Sequence, residues 1–148
     1  GQERSRFTTN PGNLNQTPAV NPQTGRLFFS RVFGGSQDIY GVNPNGTLVR
    51  ITAPGGGGKL WPAVSPDGSH IAWSQDMGDE TPELGGENFE IFTSTITGAN
   101  VRRLTAFVGE DVAPYWISND LLAWTRDLPR TTRRLSLPIG PRARTRRS

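Results

Sequence analysis

The chain holds 148 residues, enough for one domain around a single core, and its 18 Gly and 12 Pro against 33% apolar residues predict short elements joined by turns. With no cysteine, a disulfide framework, a cysteine-ligated metal and a thiol nucleophile are excluded. The net charge of +3 conceals an asymmetry: residues 130–148 carry seven of the 16 basic residues and no acid, so the remainder is net acidic.

No apolar run approaches the roughly 18 residues of a membrane span, and no stretch sustains the i, i+3, i+4, i+7 pattern of a helix. A soluble chain built of strands is expected, and its start at Gly1 without Met predicts a processed or excised piece. In chain order, Arg6-Phe7-Thr8 comes first and has the character of a strand end. "TPAVNPQTGRLFFS" (17–30) follows: an extended run, a turn from Asn21 to Gly25, and the apolar Leu27-Phe28-Phe29. Next comes "QDIYGVNPNGTLVRIT" (37–52), with an acid, two apolar residues, a turn at Gly46 and an Arg-apolar-Thr ending.

The pattern then starts again. "WPAVSPDGSHIAWS" (61–74) aligns with 17–30 without a gap at an offset of 44, so that Pro18 meets Pro62, Pro22 meets Pro66, Phe29 meets Trp73 and Ser30 meets Ser74. Ser65-Pro66-Asp67-Gly68 is a tight turn: Pro fixes φ at the second position and Gly supplies the positive φ that closes a hairpin. "FEIFTSTITGANVRRLT" (89–105) repeats 37–52. A third cassette, "APYWISNDLLAWT" (113–125), is one residue shorter, with Pro114, Trp116, Ala123 and Trp124 in the places of Pro62, Val64, Ala72 and Trp73. Arg-apolar-Thr at 50–52 and 103–105 precedes the later cassettes as 6–8 precedes the first. Each unit supplies four short strands, and the period fits a β-propeller blade. The expected fold is all-β: antiparallel four-stranded blades of an incomplete β-propeller. Residues 1–127 would form about two full blades plus flanking half-blades, and 128–148 a basic Pro/Arg-rich tail without fixed structure.

The succession Arg-apolar-Thr, spacer, Pro-x-apolar-Ser-Pro-Asp-Gly-x-x-Ile-Ala-Trp-Ser, then Glu-Ile-Phe, Gly and Arg-Arg-Leu-Thr resembles the TolB-like (WD-repeat-like) β-propeller repeat over residues 4 to about 127. The resemblance implies a bacterial periplasmic or secreted, non-enzymatic module that mediates protein–protein contacts. Similar repeats occur in prolyl-oligopeptidase-like peptidases and in polysaccharide-acting proteins, so a propeller fragment of such an enzyme is the alternative. A closed propeller takes about four to eight blades. Two units with flanking halves would leave open blade edges, which a partner or another copy of the chain would complete.

No cofactor, metal or catalytic set is expected. His70, the only histidine, aligns with Arg26 and is expected to point outward from a strand. In the acidic stretch 75–90, Asp76, Asp79, Glu80, Glu83, Glu87 and Glu90 offer oxygen ligands of the kind Ca²⁺ takes, but their spacing matches no calcium loop, so a solvated negative loop is expected. "APGGGGKL" (53–60) lacks the Ser/Thr and helix of a phosphate loop and is expected to connect two blades. Phe29, Trp73 and Trp124 share one repeat position, where blade-to-blade packing is expected. Lys59, Trp61, Asp111, Tyr115 and Trp116 lie beside the cassette prolines, near the inner strand and the loop leading into it. They form the candidate partner-binding set. Only the arginine-rich tail argues for nucleic acid or anionic lipid, and it lacks the interleaved aromatics of a nucleic-acid-binding motif.

Overall fold

The structure, a computed structural model, describes residues 14–78, 87–107 and 109–127. Arg6-Phe7-Thr8, the middle of the acidic stretch (79–86) and the basic tail lie outside the described residues. The first unit folds into β1 (Asn15–Val20), β2 (Leu27–Phe33), β3 (Ser36–Val42) and β4 (Leu48–Arg50). The second folds into β5 (Lys59–Val64), β6 (His70–Asp76), β7 (Phe89–Thr95) and β8 (Arg102–Arg103). Each is a four-stranded antiparallel sheet whose spatial order is its chain order. The third unit contributes β9 (Glu110–Trp116) and β10 (Leu122–Asp127), paired antiparallel. The described residues contain no helix, so none that could cross a membrane. The all-β, four-stranded organisation expected from the repeat is present.

The hairpins close where the turn chemistry placed them. Gly25, Gly46, Gly68 and Gly98 have φ of 69°, 82°, 74° and 90°, a region in which a Cβ is costly. In the second cassette the Gly68 N–H donates to the Ser65 carbonyl at 2.9 Å, and the Asp67 carboxylate accepts from the Ser69 N–H at 3.0 Å.

Alternation along the strands sends one set of side chains to each face of a sheet. Phe28, Ile39 and Ile51 of the first unit meet Ile71 and Trp73 of the second in one buried cluster. Trp73, 2% exposed, stacks on Phe92 of the neighbouring strand at 5.9 Å and 16° between planes. It fills the gap between blades, as its repeat position predicts. Phe29, its counterpart, instead packs with Tyr40 and Val42 of its own sheet in a second cluster, and among the described residues it is Phe28 that meets the second unit. Trp124 differs, being 39% exposed. Trp73 rests on a third strand, and among the described residues the third unit has no third strand.

The inner strands β1, β5 and β9 contact one another in succession, and each later one also packs on the preceding sheet. A further repeat appears only in three dimensions. Thr17, Trp61 and Ala113, each immediately before a cassette proline, have φ of 48°, 51° and 52°. The ladder register shifts at the same point in all three units. A residue before proline ordinarily prefers extended backbone, so a local rule predicts a straight strand here. Left-handed backbone at a non-glycine residue costs on the order of 1–3 kcal/mol and persists where packing over-determines it. The shift bends each inner strand at its proline.

Candidate functional site

Beyond those bends, the three inner strands gather their cassettes around one groove of about 500 Å³. Val20 and Pro22 line it from the first unit, and Pro62, Val64 and Pro66 from the second. The third unit adds Pro114, Tyr115 and Trp116. The Trp116 indole N–H donates to the Ala63 carbonyl at 3.1 Å, which fixes its ring across two units. Tyr115 is 70% exposed and stands free at the wall. Trp61 is half-buried outside this lining, its ring edge-on to Phe89 at 5.7 Å and its backbone N–H donated to Thr17 Oγ1 at 3.1 Å.

The turns clasp one another along this side. Asn21 Nδ2 donates to the Gly68 carbonyl at 3.0 Å and Gln23 Nε2 to the Pro66 carbonyl at 2.8 Å. The Asp67 N–H donates to Asn119 Oδ1 at 2.9 Å. The groove is therefore a surface of the assembled units, with contributions that no single repeat contains.

Lys59 and Asp111, predicted alongside the aromatics, are 3% and 1% exposed and are not surface contacts. Both lie three residues before the cassette proline, where the inner strand packs against the preceding sheet. Lys59 Nζ donates to Asp38 Oδ1 at 2.9 Å and to the carbonyls of Gly55 and Gly57. The glycine-rich connection thus wraps the ammonium, which is consumed by these oxygens and cannot meet a phosphate. Asp38 also accepts from Ser36 Oγ at 2.8 Å and lies 3.7 Å from Arg50 Nε.

The same device recurs in the second unit. Glu90 accepts from Arg103 Nη2 at 3.1 Å, from the Phe107 N–H at 2.5 Å and from Thr105 Oγ1. Thr52 and Thr105 in turn accept the N–H groups of Ile39 and Ile91 at 3.0 and 2.9 Å. The acid and the Arg-apolar-Thr ending are two halves of one buried polar network, which satisfies groups that would otherwise be costly inside a protein. Glu90 is accordingly removed from the solvated loop to which its place in 75–90 assigned it. Burial pushes the Asp111 carboxyl up, but the hydrogen-bonded Arg126 guanidinium leads the opposing influences and the group is held below its ordinary value. Arg126 grips both oxygens, at 2.7 and 2.8 Å.

His70 is exposed, as expected. Its Nδ1 lies 2.7 Å from Ser69 Oγ, which lies 2.8 Å from both Asp67 oxygens. The hydroxyl stands between acid and imidazole, whereas a triad needs the imidazole between acid and hydroxyl. Hydrogen bonds from Ser65 and Ser69 hold the Asp67 carboxyl down at about 2. This cluster builds a turn; it does not activate a nucleophile.

Four-stranded meanders stacked face to face, with their first strands in a common inner row, define a segment of a β-propeller. No protein-family model matches the chain, and no curated protein matches it in sequence. Among solved structures it is similar to one assigned as TolB from Agrobacterium tumefaciens, with a TM-score of 0.59 and 20% identity over 78% of this chain and 42% of that one. It is similar also to TolB from Acinetobacter baumannii, with a TM-score of 0.59 and 22% identity over 80% of this chain and 28% of that one. The likeness is one of fold, and the chain spans less than half the length of either structure.

Proposed function

We propose that this chain is a non-enzymatic interaction module of the bacterial envelope, a TolB-like propeller segment that presents its inner-strand groove to a protein partner. The observation that carries the reading is the convergence of three cassettes on one apolar groove beside the exposed Tyr115. Pre-formed apolar concavities with a rigid aromatic at the rim are the usual anchor points of protein interfaces. The envelope setting rests on the TolB-like repeat and the similarity of fold. Trp116 is the second anchor. Lys59 and Asp111 support the groove from within, and Trp61 holds the bend that leads into it.

The test is saturable capture of a discrete partner from a periplasmic extract by the immobilised full chain. Tyr115→Ala and Val20→Asp should each weaken capture about tenfold, a typical anchor loss. Val49→Asp, on the outer strand β4, should leave it unchanged. Equal capture by all variants would refute the groove as the contact surface.

A further inference from the structure

The hairpin that joins β3 to β4 turns on Asn43-Pro44-Asn45-Gly46, and Asn45 is the one asparagine of the 148 residues that is followed by glycine. The Gly46 N–H donates to the Asn43 carbonyl at 2.9 Å, and the Asn43 N–H to the Thr47 carbonyl at 2.9 Å. Residues 44–47 are all exposed. Gly46 has φ of 82°, and open space surrounds the place where a Cβ would stand. The Asn45 side chain folds over its own backbone, with Oδ1 accepting the Thr47 N–H at 3.0 Å. That fold brings the side-chain amide carbon toward the Gly46 nitrogen, and an N–H aimed at Oδ1 stabilises negative charge that develops on it.

We propose that Asn45 is a self-modification site of the folded chain, where the side-chain amide is converted through a cyclic imide to aspartate and isoaspartate. The Gly46 nitrogen gives up its proton to solvent base and bonds to Asn45 Cγ. The Cγ–Nδ2 bond breaks, and ammonia leaves with a proton taken from water. Water then opens the five-membered imide at either carbonyl. Opening at the side-chain carbonyl restores the backbone and leaves aspartate. Opening at the main-chain carbonyl leaves the chain running through the side-chain carbonyl, one methylene longer. Other asparagines lack a part of this arrangement. Asn21 and Asn43 precede proline, whose nitrogen has no proton, and Asn88, Asn100 and Asn119 precede side chains that crowd the attack. Asp67-Gly68 has the same side-chain fold, but a carboxylate offers no leaving group until protonated, and hydrogen bonds from Ser65 and Ser69 hold it at about 2. The isoaspartyl product lengthens the turn and displaces β4, whose Leu48 packs on the second cluster and whose Arg50 Nε donates to the Tyr40 hydroxyl at 2.9 Å. No lining residue of the inner-strand groove lies on this hairpin, so the two proposals stand separately.

The test is incubation of the full, folded chain at mildly alkaline pH, followed by tryptic peptide mass mapping. The peptide of residues 32–50 should gain one mass unit and separate chromatographically into two products. Asn45 should convert at least about tenfold faster than any other asparagine. Asn45→Gln, whose longer side chain must close a six-membered ring, should abolish the gain. Asn45→Asp should melt with the parent chain, whereas chain enriched in the isoaspartyl product should melt lower. An Asn45 that keeps its amide, or conversion spread equally over the other asparagines, would overturn the proposal. So would aspartate as the only product, isoaspartate forming as fast at Asp67, or an isoaspartyl form that melts with the parent.

Discussion

At the scale of single residues, equivalent positions have unequal duties. Ser30 Oγ donates to the Lys59 carbonyl at 2.6 Å and ties the first unit to the second. Ser74 occupies the same repeat position, is fully buried, and its hydroxyl has no hydrogen-bond partner among the described residues. Removing a satisfied buried hydroxyl costs about 1 kcal/mol, whereas removing an unsatisfied one is close to neutral or stabilising. Ser30→Ala should therefore lower stability by about 1 kcal/mol in urea unfolding while Ser74→Ala leaves it unchanged or raised. The sequence shows these two serines as one repeated position and cannot show the difference, since the acceptor lies on the next unit. Lys59 and Asp111 were misplaced for the same reason. A charge beside aromatics looks like a surface contact until the preceding sheet is seen to carry Asp38 21 residues away. Tyr115 and Trp116 were legible as neighbours of a proline in an inner strand, whereas the groove they line forms only when the units dock.

Strands and turns were the most legible elements, because alternation and turn residues act locally and recur at fixed offsets. What stayed hidden was the use made of them. The bends at Thr17, Trp61 and Ala113 oppose the local preference before proline, and only packing of one inner strand on the next selects them. The glycine-rich connection is a second case, since its composition indicates a flexible link while its fold is a close wrap around Lys59. A Cβ on Gly57, whose φ is +89°, would lie 1.8 Å from the Asp76 carbonyl oxygen, a backbone atom that cannot swing aside. Gly57→Ala should destabilise the chain by about 2 kcal/mol or more. Gly55→Ala, with open space around its Cβ, should cost less, near the roughly 1 kcal/mol of its positive φ alone. Thermal melts of the two variants side by side distinguish a wrapped connection, with unequal losses, from a loose one with equal losses.

At the scale of the whole molecule, the units act as one body because charged and polar groups cross between them. The Asp38–Lys59 pair joins β3 of the first sheet to β5 of the second, with both side chains almost fully buried. The turn-to-turn hydrogen bonds and the cluster around Phe28 and Trp73 bridge the same junction. This docking sets β1, β5 and β9 side by side and so creates the groove, which repeat counting alone could not reveal. A double-mutant cycle with Asp38→Asn and Lys59→Met, read by urea unfolding of the full chain, tests the docking most directly. Breaking one side of a buried pair costs about 3 kcal/mol, and residues in contact couple by about 0.5–3 kcal/mol. A coupling of about 1 kcal/mol or more is the predicted result. Additive losses would contradict it, for they would mean that the first two units do not meet across this pair and that the groove between their inner strands is not built as described.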